Sequence, residues 1–231
     1  MDTGAESRRR HWRRGNRGKH PQQQQRRSLP KFWINVANAG QVVPGTCIIP
    51  AKVPLDPSKY ASEWTPTSLL AYFREEQVDT NINVKMVIDL TNTTKYYDGP
   101  RVFSDLKYVK LPCDGFNHPP KDREIHRFFR HVSDFQRTHP NSHLVLHCTH
   151  GLNRTGYFIV QYLIEFCHLK VSKALEVFAT ARPPGIVKFA YIEALYRQFG
   201  DPNEPVMYPD LPDWAQAKYG KKNTATAFKN N

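Results

Sequence analysis

The sequence predicts an α/β domain with a central, largely parallel sheet flanked by helices. Short apolar runs rich in β-branched residues alternate with longer segments whose apolar residues recur at helical spacing. This alternation is typical of folds in which crossover helices join parallel strands. The chain has 231 residues, of which 39% are hydrophobic, so it can form one full-sized domain with a buried core and short tails.

The first predicted elements follow from local signals. Thr65 followed by Pro66 is typical of a capped helix start, and the helix is expected to continue through Tyr72. Residues 84–90 read Val-Lys-Met-Val-Ile-Asp-Leu, and this mostly apolar run predicts a buried strand. Residues 107–111 mix apolar residues with lysine and predict a further strand.

The second half is expected to be mostly helical, with one strand before the second of four helices. Helical periodicity places apolar residues on one face of each helical segment. Ser172 is expected to cap the third helix, and Pro183 with its neighbours to end it. The predicted elements are a helix at 122–139, a strand at 143–147 and helices at 154–168, 172–182 and 188–199.

The charge is concentrated at the two ends of the chain. The net charge is +12, of which residues 1–31 carry +8 and residues 215–231 carry +4. The first segment contains so few apolar residues that their burial cannot offset the entropy cost of ordering it. We therefore predict a disordered Arg- and Gln-rich tail at 1–30, a folded domain at 31–205 and a Pro-containing basic C-terminal tail at 206–231.

The tails have a functional and a structural interpretation. Dense basic runs attract phosphate backbones, so they predict an arm that binds RNA or a ribonucleoprotein, or a nuclear import signal. The alternative is that they only increase solubility. The four cysteines lie apart without a Cys-x-x-Cys pair, which indicates reduced thiols in the nucleus or the cytoplasm. No apolar run approaches the roughly 20 residues of a membrane helix, and neither a secretory signal nor a membrane partner is expected.

The chemistry is predicted at the loop of residues 148–154. A strand ending at His147 and a helix beginning near Arg154 place this loop at a helix N-terminus, where unpaired N–H groups favour an anion. Gly151 permits unusual backbone angles, and the planar Arg154 guanidinium can hold two phosphate oxygens. The same surroundings stabilise a thiolate. The pKa of Cys148 is therefore expected below the value of about 8.5 for free cysteine, and Cys148 is the predicted nucleophile.

Other interpretations of this stretch do not fit. Gly151 and Gly156 have the spacing of half a Walker loop, but Tyr157 follows where lysine is required. The spacing of the histidines around the loop resembles no common zinc pattern, so no metal site is predicted. Cys47 and Cys167 are interpreted as small core residues.

The motif carries a family resemblance. Residues 147–157 read His-Cys-Thr-His-Gly-Leu-Asn-Arg-Thr-Gly-Tyr, which resembles the Cys-x-x-x-x-x-Arg signature of the protein tyrosine and dual-specificity phosphatase superfamily. Within it, the run is similar to the RNA 5′-triphosphatase branch, which comprises the triphosphatase domain of animal-type mRNA capping enzymes and stand-alone RNA polyphosphatases. Residues 88–97 and 181–188 also resemble that branch, and the likeness spans about 33–200. Residues 211–214 are similar to the segment that follows the domain in capping enzymes.

The resemblance implies a reaction without metal or cofactor. The Cys148 thiolate would take the terminal phosphoryl group of a 5′-triphosphorylated RNA, and water would then release phosphate with help from Thr155. His147 and Asn153 would hold the shape of the loop. The implied phosphate-binding residues of the loop are Thr149, His150, Gly151, Leu152, Asn153 and Arg154. Candidates for the β- and α-phosphates outside the loop are Lys95, Arg182 and Lys188.

Two aspartates are candidates for the general acid. Relatives that hydrolyse phosphoproteins have an aspartate near the position of Asp114, whereas the RNA branch depends on one at the position of Asp89. A phosphate leaving group has a pKa near ~6 and a tyrosine oxygen one near ~10, so only the latter needs a proton. Asp89 is therefore preferred for RNA, and Asp114 leaves protein substrates open. Each can instead be structural, Asp89 at a strand end and Asp114 in a turn with Gly115.

The leading hypothesis is a stand-alone RNA 5′-triphosphatase or polyphosphatase that removes the γ- and β-phosphates. One alternative is the triphosphatase component of mRNA capping, which removes only the γ-phosphate. A second is a protein dual-specificity phosphatase. A phosphoinositide phosphatase is weaker, because the loop lacks a lysine. A non-enzymatic alternative is a ribonucleoprotein adaptor that binds through its basic tails. The oligomeric state is left open, with a monomer expected.

Overall fold

The structure, a computed structural model, describes residue 1 and residues 26–76, 82–115 and 118–227. Within these residues one sheet contains the strands β1 (Ile48–Lys52), β2 (Val84–Asp89), β3 (Lys107–Lys110) and β4 (His143–Cys148). Their order is β1-β4-β2-β3, and every neighbouring pair is parallel. The predicted α/β fold with a parallel sheet is confirmed. The strands expected at 84–90, 107–111 and 143–147 are all present, and β1 is additional.

Helices cover the sheet. The described helices are α1 (Pro66–Ala71), α2 (Gly99–Val102), α3 (Asp122–Thr138), α4 (Asn153–Cys167), α5 (Val171–Ala181), α6 (Phe189–Phe199) and α7 (Asp213–Ala227). The helices α1, α2 and α3 alternate with the strands in sequence, whereas α4 to α7 follow the last strand. A 3₁₀ turn at Trp33–Asn35 and a π-helical turn at Tyr72–Glu76 complete the helical elements of the described chain. Among these described helices, none combines the length and apolar character needed to cross a bilayer.

The helix ends agree with the sequence at one position and differ at another. Thr65 caps α1 as predicted, since its side chain accepts a hydrogen bond from the Ser68 backbone and the Ser68 side chain accepts one from the Thr65 backbone. The expected cap at Ser172 is wrong: the N-cap of α5 is Lys170, and Ser172 lies in the first helical turn. Serine is favoured at caps, but the buried Val171 packs into the core and sets where this helix begins.

Alternate residues of β4 supply the two hydrophobic cores. Leu144, Leu146 and Cys148 belong to the core cluster under α3, α4, α5 and α6, whereas Val145 belongs to the cluster on the opposite face of the sheet. This period of two is the side-chain geometry of a strand. Cys148 therefore lies at the carboxyl end of a central strand, on the face that α4 covers.

The two ends of the domain differ from the predicted boundaries. Residues 206–231 were expected to be a tail, but α7 forms there, with Ala215 and Tyr219 buried against Val36, Leu152 and Val187. Among the α7 residues whose burial the structure describes, 213–220, these two lie one helical turn apart and are the buried ones, so the sequence carries a weak amphipathic signal.

At the other end, the Arg27 backbone donates a hydrogen bond to the Lys59 carbonyl over 2.7 Å, so the folded chain begins before residue 31. Most of the tail predicted at 1–30 lies outside the described residues.

Candidate active site

A cleft of about 660 Å³ opens at the carboxyl ends of β2 and β4. In open α/β sheets this edge is the usual place for a ligand site. The cleft is lined by parts of the loop after β2, the loop after β3, the loop after β4, the start of α6 and one face of α7. The residues used below that line it are Lys95, Cys113, Asp114, Gly115, Cys148, Thr149, His150, Asn153, Arg154, Lys188, Tyr191, Lys218 and Tyr219.

The loop between β4 and α4 points its carbonyl groups away from the cleft. The Thr149 carbonyl accepts a hydrogen bond from the Val53 backbone over 3.4 Å. The His150 and Gly151 carbonyls accept from the Arg182 guanidinium over 3.1 and 3.4 Å. In a planar trans peptide the N–H lies opposite the C=O. The three following N–H groups therefore face the cleft, where they can bind an anion together with the N-terminal N–H groups of α4.

Gly151 allows this backbone path. Its φ is +69°, in the left-handed region that favours glycine. A Cβ on this residue would lie 2.2 Å from the Ala51 carbonyl oxygen on β1. The position therefore requires glycine both for its backbone angle and for the close approach of the neighbouring strand.

Arg182 lies behind the loop and not in the cleft, which differs from the expectation that it contacts substrate phosphates. Its side chain is fully buried and also donates to the Ala37 carbonyl over 2.7 Å. Burial lowers its pKa to about 10, so the guanidinium remains charged at neutral pH. Arg182 holds the carbonyl groups of the loop and thereby orients the N–H groups on the other side.

Arg154 is half-buried at the floor of the cleft. Its Nη1 donates to the carbonyls of Leu90 and Cys113 over 3.0 and 2.9 Å, and its Nη2 donates to Thr149 Oγ1 over 3.2 Å. A guanidinium has five N–H donors, so these bonds leave Nε–H and one Nη2–H for an anion. A Cβ at Gly115 would lie 2.5 Å from Arg154 Nε. Glycine at 115 thus makes room for the guanidinium.

Cys148 has the environment of a reactive thiol. Burial by itself would raise the pKa of the Cys148 thiol, but the Arg154 charge, the Thr155 hydroxyl and backbone N–H groups of Thr155 and His150 together lower it. The buried Thr155 hydroxyl makes no hydrogen bond of ordinary geometry within the described chain. It is nevertheless near enough to the sulfur to stabilise a thiolate. The structure brings Cys148, Arg154 and Thr155 together as the sequence predicted.

The pKa of Cys113, which also lines the cleft, is shifted in the opposite direction, because its surroundings do not outweigh the effect of burial. Burial raises the pKa of the Cys113 thiol above the usual range. The two cysteines therefore differ in reactivity, although both lie at the same cleft.

Asp89 and Asp114 occupy different places. Asp89 is buried outside the cleft lining. One of its oxygens accepts from the Thr91 backbone and hydroxyl, and the other from Tyr108 and Lys110 over 2.9 and 2.8 Å. Burial raises the pKa of Asp89, but His147, Lys110 and these hydrogen bonds outweigh it and lower the pKa. Asp89 is thus a charged acceptor without a proton to donate, which favours its structural alternative.

Asp114, by contrast, is exposed and lines the cleft. It is the one carboxylate among the described residues of the cleft lining. Of the two aspartates, Asp114 is the one whose position allows proton transfer to or from a bound substrate.

Of the other predicted site residues, two hold the elements around the loop in place and two line the cleft. The buried His147 contacts the Tyr97 hydroxyl over 2.6 Å and lies 3.8 Å from Asp89, so it ties β4 to the end of β2. Burial lowers the pKa of His147. Asn153 Oδ1 accepts from the backbone N–H groups of Val187 and Lys188, and so joins the loop to the segment before α6. Lys95 and Lys188 both line the cleft as expected.

The sequence interpretation missed the contribution of α7. Lys218 and Tyr219 form part of the cleft lining. His150 also lies on this side, with Nε2 2.9 Å from the Lys31 carbonyl oxygen and 3.5 Å from Lys218 Nζ. Burial and the nearby Lys218 lower the pKa of His150 to about 4. The one available signal was the resemblance of residues 211–214 to a segment of capping enzymes.

The chain matches the family model "Dual specificity phosphatase, catalytic domain" over residues 71–199. It is 36% identical over 192 residues to the mRNA-capping enzyme of Mus musculus, a match that covers 80% of this chain and 31% of that enzyme. It is 34% identical over 194 residues to the RNA/RNP complex-1-interacting phosphatase of Mus musculus, covering 82% of this chain and 60% of that protein. The chain thus spans less than two thirds of either relative.

A solved structure has the same fold as this chain. The structure of Tk-PTP in its active form matches with a TM-score of 0.51 and 17% identity, covering 69% of this chain and 95% of that one. A parallel sheet that ends in a low-pKa cysteine, beside an anion-binding loop and an arginine, defines a cysteine-based phosphatase. The chain belongs to the dual-specificity phosphatase catalytic domain family.

Proposed function

We propose that the protein is an RNA 5′-triphosphatase or polyphosphatase that removes the γ-phosphate, and then the β-phosphate, from 5′-triphosphorylated RNA. The observation that carries this proposal is the charge of the cleft. Beyond Arg154, its described lining contains three lysines (Lys95, Lys188 and Lys218) and a single carboxylate, Asp114. Such an excess of positive charge suits a chain of phosphates better than a single phosphomonoester. The names of two relatives, an mRNA-capping enzyme and an RNA/RNP complex-1-interacting phosphatase, support RNA as the substrate.

In the first step the Cys148 thiolate attacks the γ-phosphorus. An S–P bond forms while the bond from the γ-phosphorus to the bridging oxygen breaks, and the RNA leaves with a 5′-diphosphate. Arg154 and the loop N–H groups stabilise the oxygens that carry charge in the transition state. No metal ion takes part in the proposed step.

The proposed leaving group needs little acid assistance. The second pKa of a phosphate is about 6, so a terminal phosphate can depart as an anion at neutral pH. This agrees with the state of Asp89, which is a charged carboxylate that accepts hydrogen bonds from Lys110 and Tyr108 and has no proton to donate. We propose that Asp89 acts as a positioning residue for the strand ends that carry the site.

In the second step water attacks the phosphocysteine. The S–P bond breaks, inorganic phosphate leaves, and the sulfur returns to the thiolate that Arg154 and the Thr155 hydroxyl stabilise. Asp114, which lines the cleft, is proposed to accept the proton of that water. A second round on the 5′-diphosphate would give a 5′-monophosphate, which is the stand-alone type of activity. The capping type would stop after the first round.

The basic ends of the chain are proposed to bind the body of the RNA or a ribonucleoprotein. Their summed charge of +12 equals the whole net charge of the protein. Binding through phosphates is non-specific and weakens with salt. Nuclear residence is proposed on the same basis, with a cytoplasmic pool left open.

Asp114 supports a second candidate, a protein dual-specificity phosphatase. A tyrosine oxygen leaves with a pKa of about 10 and needs a proton, which an exposed acid in the cleft can supply. The family includes enzymes of this kind by its description. The two candidates differ in the need for Asp114 in the first step, the transfer of the phosphoryl group to Cys148. Asp114→Asn should slow hydrolysis of a phosphotyrosine peptide far more than the first cleavage of triphosphorylated RNA.

One experiment separates the candidates. The protein is incubated in EDTA with RNA labelled at the γ- or β-phosphate, and in parallel with a phosphotyrosine peptide. Release from RNA at a much higher kcat/KM supports the proposal, and the label that appears distinguishes γ removal from γ and β removal. Cys148→Ser should abolish release while RNA binding persists, and the half-buried Cys167→Ser serves as the matched control. A preference for the peptide, or phosphate release by Cys148→Ser, would reject the proposal.

A further inference from the structure

α7 forms a wall of the cleft and is held by packing on both sides of the catalytic loop. Ala215 and Tyr219 pack with Leu152 of the loop and with Val187 of the segment before α6. At the start of the helix, the Trp214 ring lies 6.3 Å from the Phe32 ring. These contacts join α7 to the loop and to the N-terminal segment, and they fix where Lys218 lies relative to the loop.

Lys218 lies near two aromatic rings, but no acidic side chain among the described residues pairs with it. Its half-buried ammonium lies 5.1 Å from the centre of the Tyr219 ring and 5.8 Å from that of Phe32. Among the described residues no carboxylate lies within ion-pair distance of it. Burial and the charge of Lys31 lower its pKa, and the charge of Cys148 raises it. Lys218 and Cys148 line the same cleft.

The contact with His150 does not give the Lys218 ammonium a hydrogen-bond acceptor. His150 Nε2 lies 2.9 Å from the Lys31 carbonyl oxygen, which only accepts hydrogen bonds, so that nitrogen must carry the proton and donate it. A protonated Nε2 cannot accept from Lys218 Nζ, 3.5 Å away. Within the described chain the three donors of the ammonium are thus left for a ligand. Burying a charge without a partner costs free energy, and an anion that binds to this partly buried ammonium would recover that cost.

We propose that Lys218 is a specificity-determining residue, which binds a phosphate of the substrate beyond the one transferred to Cys148. This inference rests on the proposed function, because only a polyphosphate has such a second group. The transferred phosphate lies on Arg154 and the loop, and the next phosphate along the chain meets Lys218 on the wall that α7 forms. A phosphomonoester has no group at that position, so α7 selects for polyphosphates.

The test compares Lys218→Gln with the wild-type protein on triphosphorylated RNA and on p-nitrophenyl phosphate. Loss of one charge-assisted hydrogen bond predicts a fall of about tenfold in kcat/KM for the RNA, mostly through KM, which corresponds to about 1.4 kcal/mol. The fall for p-nitrophenyl phosphate should be several times smaller. Lys218→Arg should restore most of the preference. The matched control is Lys173→Gln on α5, an exposed lysine paired with Glu176.

Inhibition constants for tripolyphosphate and orthophosphate test the inference without RNA. In Lys218→Gln, inhibition by tripolyphosphate should weaken by about tenfold and inhibition by orthophosphate much less. Equal losses for both substrates, or an unchanged tripolyphosphate constant, would overturn the inference, since a packing role alone would lower all activities together. If the wild-type enzyme prefers the triphosphate and Lys218→Gln keeps the same preference, only the inference is rejected. A wild-type enzyme without that preference would reject the proposed function, and with it the inference.

Discussion

Replacing Arg182 by methionine tests whether the catalytic loop is held from behind. The substitution removes bonds of 2.7 and 3.1 Å to the carbonyls of Ala37 and His150, and a longer one to Gly151. Each short bond to a charged donor is worth about 1.5–3 kcal/mol when its buried partner is left unpaired. Relief of the cost of burying a cation offsets part of this loss. We expect the free energy of unfolding to fall by about 2–4 kcal/mol, against about 5–15 kcal/mol for a typical domain.

Urea unfolding followed by tryptophan fluorescence measures this loss, with Arg137→Met as the control. Arg137 is 75% exposed, and its replacement should change the free energy by no more than about 0.5 kcal/mol. In Arg182→Met the loop N–H groups lose their orientation, so the pH midpoint of Cys148 alkylation should also rise. If Arg182→Met kept the wild-type stability and alkylation profile but lost phosphate affinity, Arg182 would be a phosphate ligand and the argument from the loop carbonyls would be wrong.

Three further predictions concern the site. Gly151→Ala should lower kcat/KM by at least about a hundredfold and destabilise the fold by about 2–4 kcal/mol, because the new Cβ meets the Ala51 carbonyl at a strained φ. Steady-state kinetics measures the loss of activity, and thermal melting measures the loss of stability. Iodoacetamide should alkylate Cys148 with a pH midpoint below that of free cysteine, and Arg154→Met should raise the midpoint; an identical midpoint in the two proteins would contradict the role of the guanidinium. The folded-state pKa of Asp89 is lowered, so its contribution to stability is full above its unfolded pKa of about 3.9 and is lost as the pH falls through the lower folded value. Asp89→Asn should therefore reduce stability at pH 7 but much less near pH 2, as measured by urea unfolding at both values.

The sequence predicted three of the four described strands, and the missing strand has a physical reason. β1 contains Pro50, and proline removes a backbone donor, so a run that contains it is a poor candidate for a central strand. In the structure β1 is an edge strand, where one side of the backbone needs no partner strand. The order of strands, which makes this position acceptable, is not encoded in any local pattern.

For the site, the local motif was predictable and the long-range contacts were not. Cys148, Arg154 and Thr155 lie within eight residues, and their geometry follows from one strand, one turn and one helix. Arg182 reads as a surface cation in sequence, and only the tertiary fold reveals that it is buried behind the loop. Lys218 was missed for a related reason: within the part of α7 whose burial is described, Ala215 and Tyr219 are buried and Trp214 is half-buried, and so few apolar residues do not predict that the helix packs on the domain.

The contact between Phe32 and Trp214 has a consequence for where the catalytic unit ends. A fragment cut after residue 205 would keep every described strand and the whole anion-binding loop. It would nevertheless lose one side of the cleft, along with the packing that covers Leu152. Such a fragment should fold and still hydrolyse simple esters, while its discrimination among phosphate chains of different length declines. On this expectation the smallest piece of this protein that folds is shorter than the smallest piece that selects among phosphate chains.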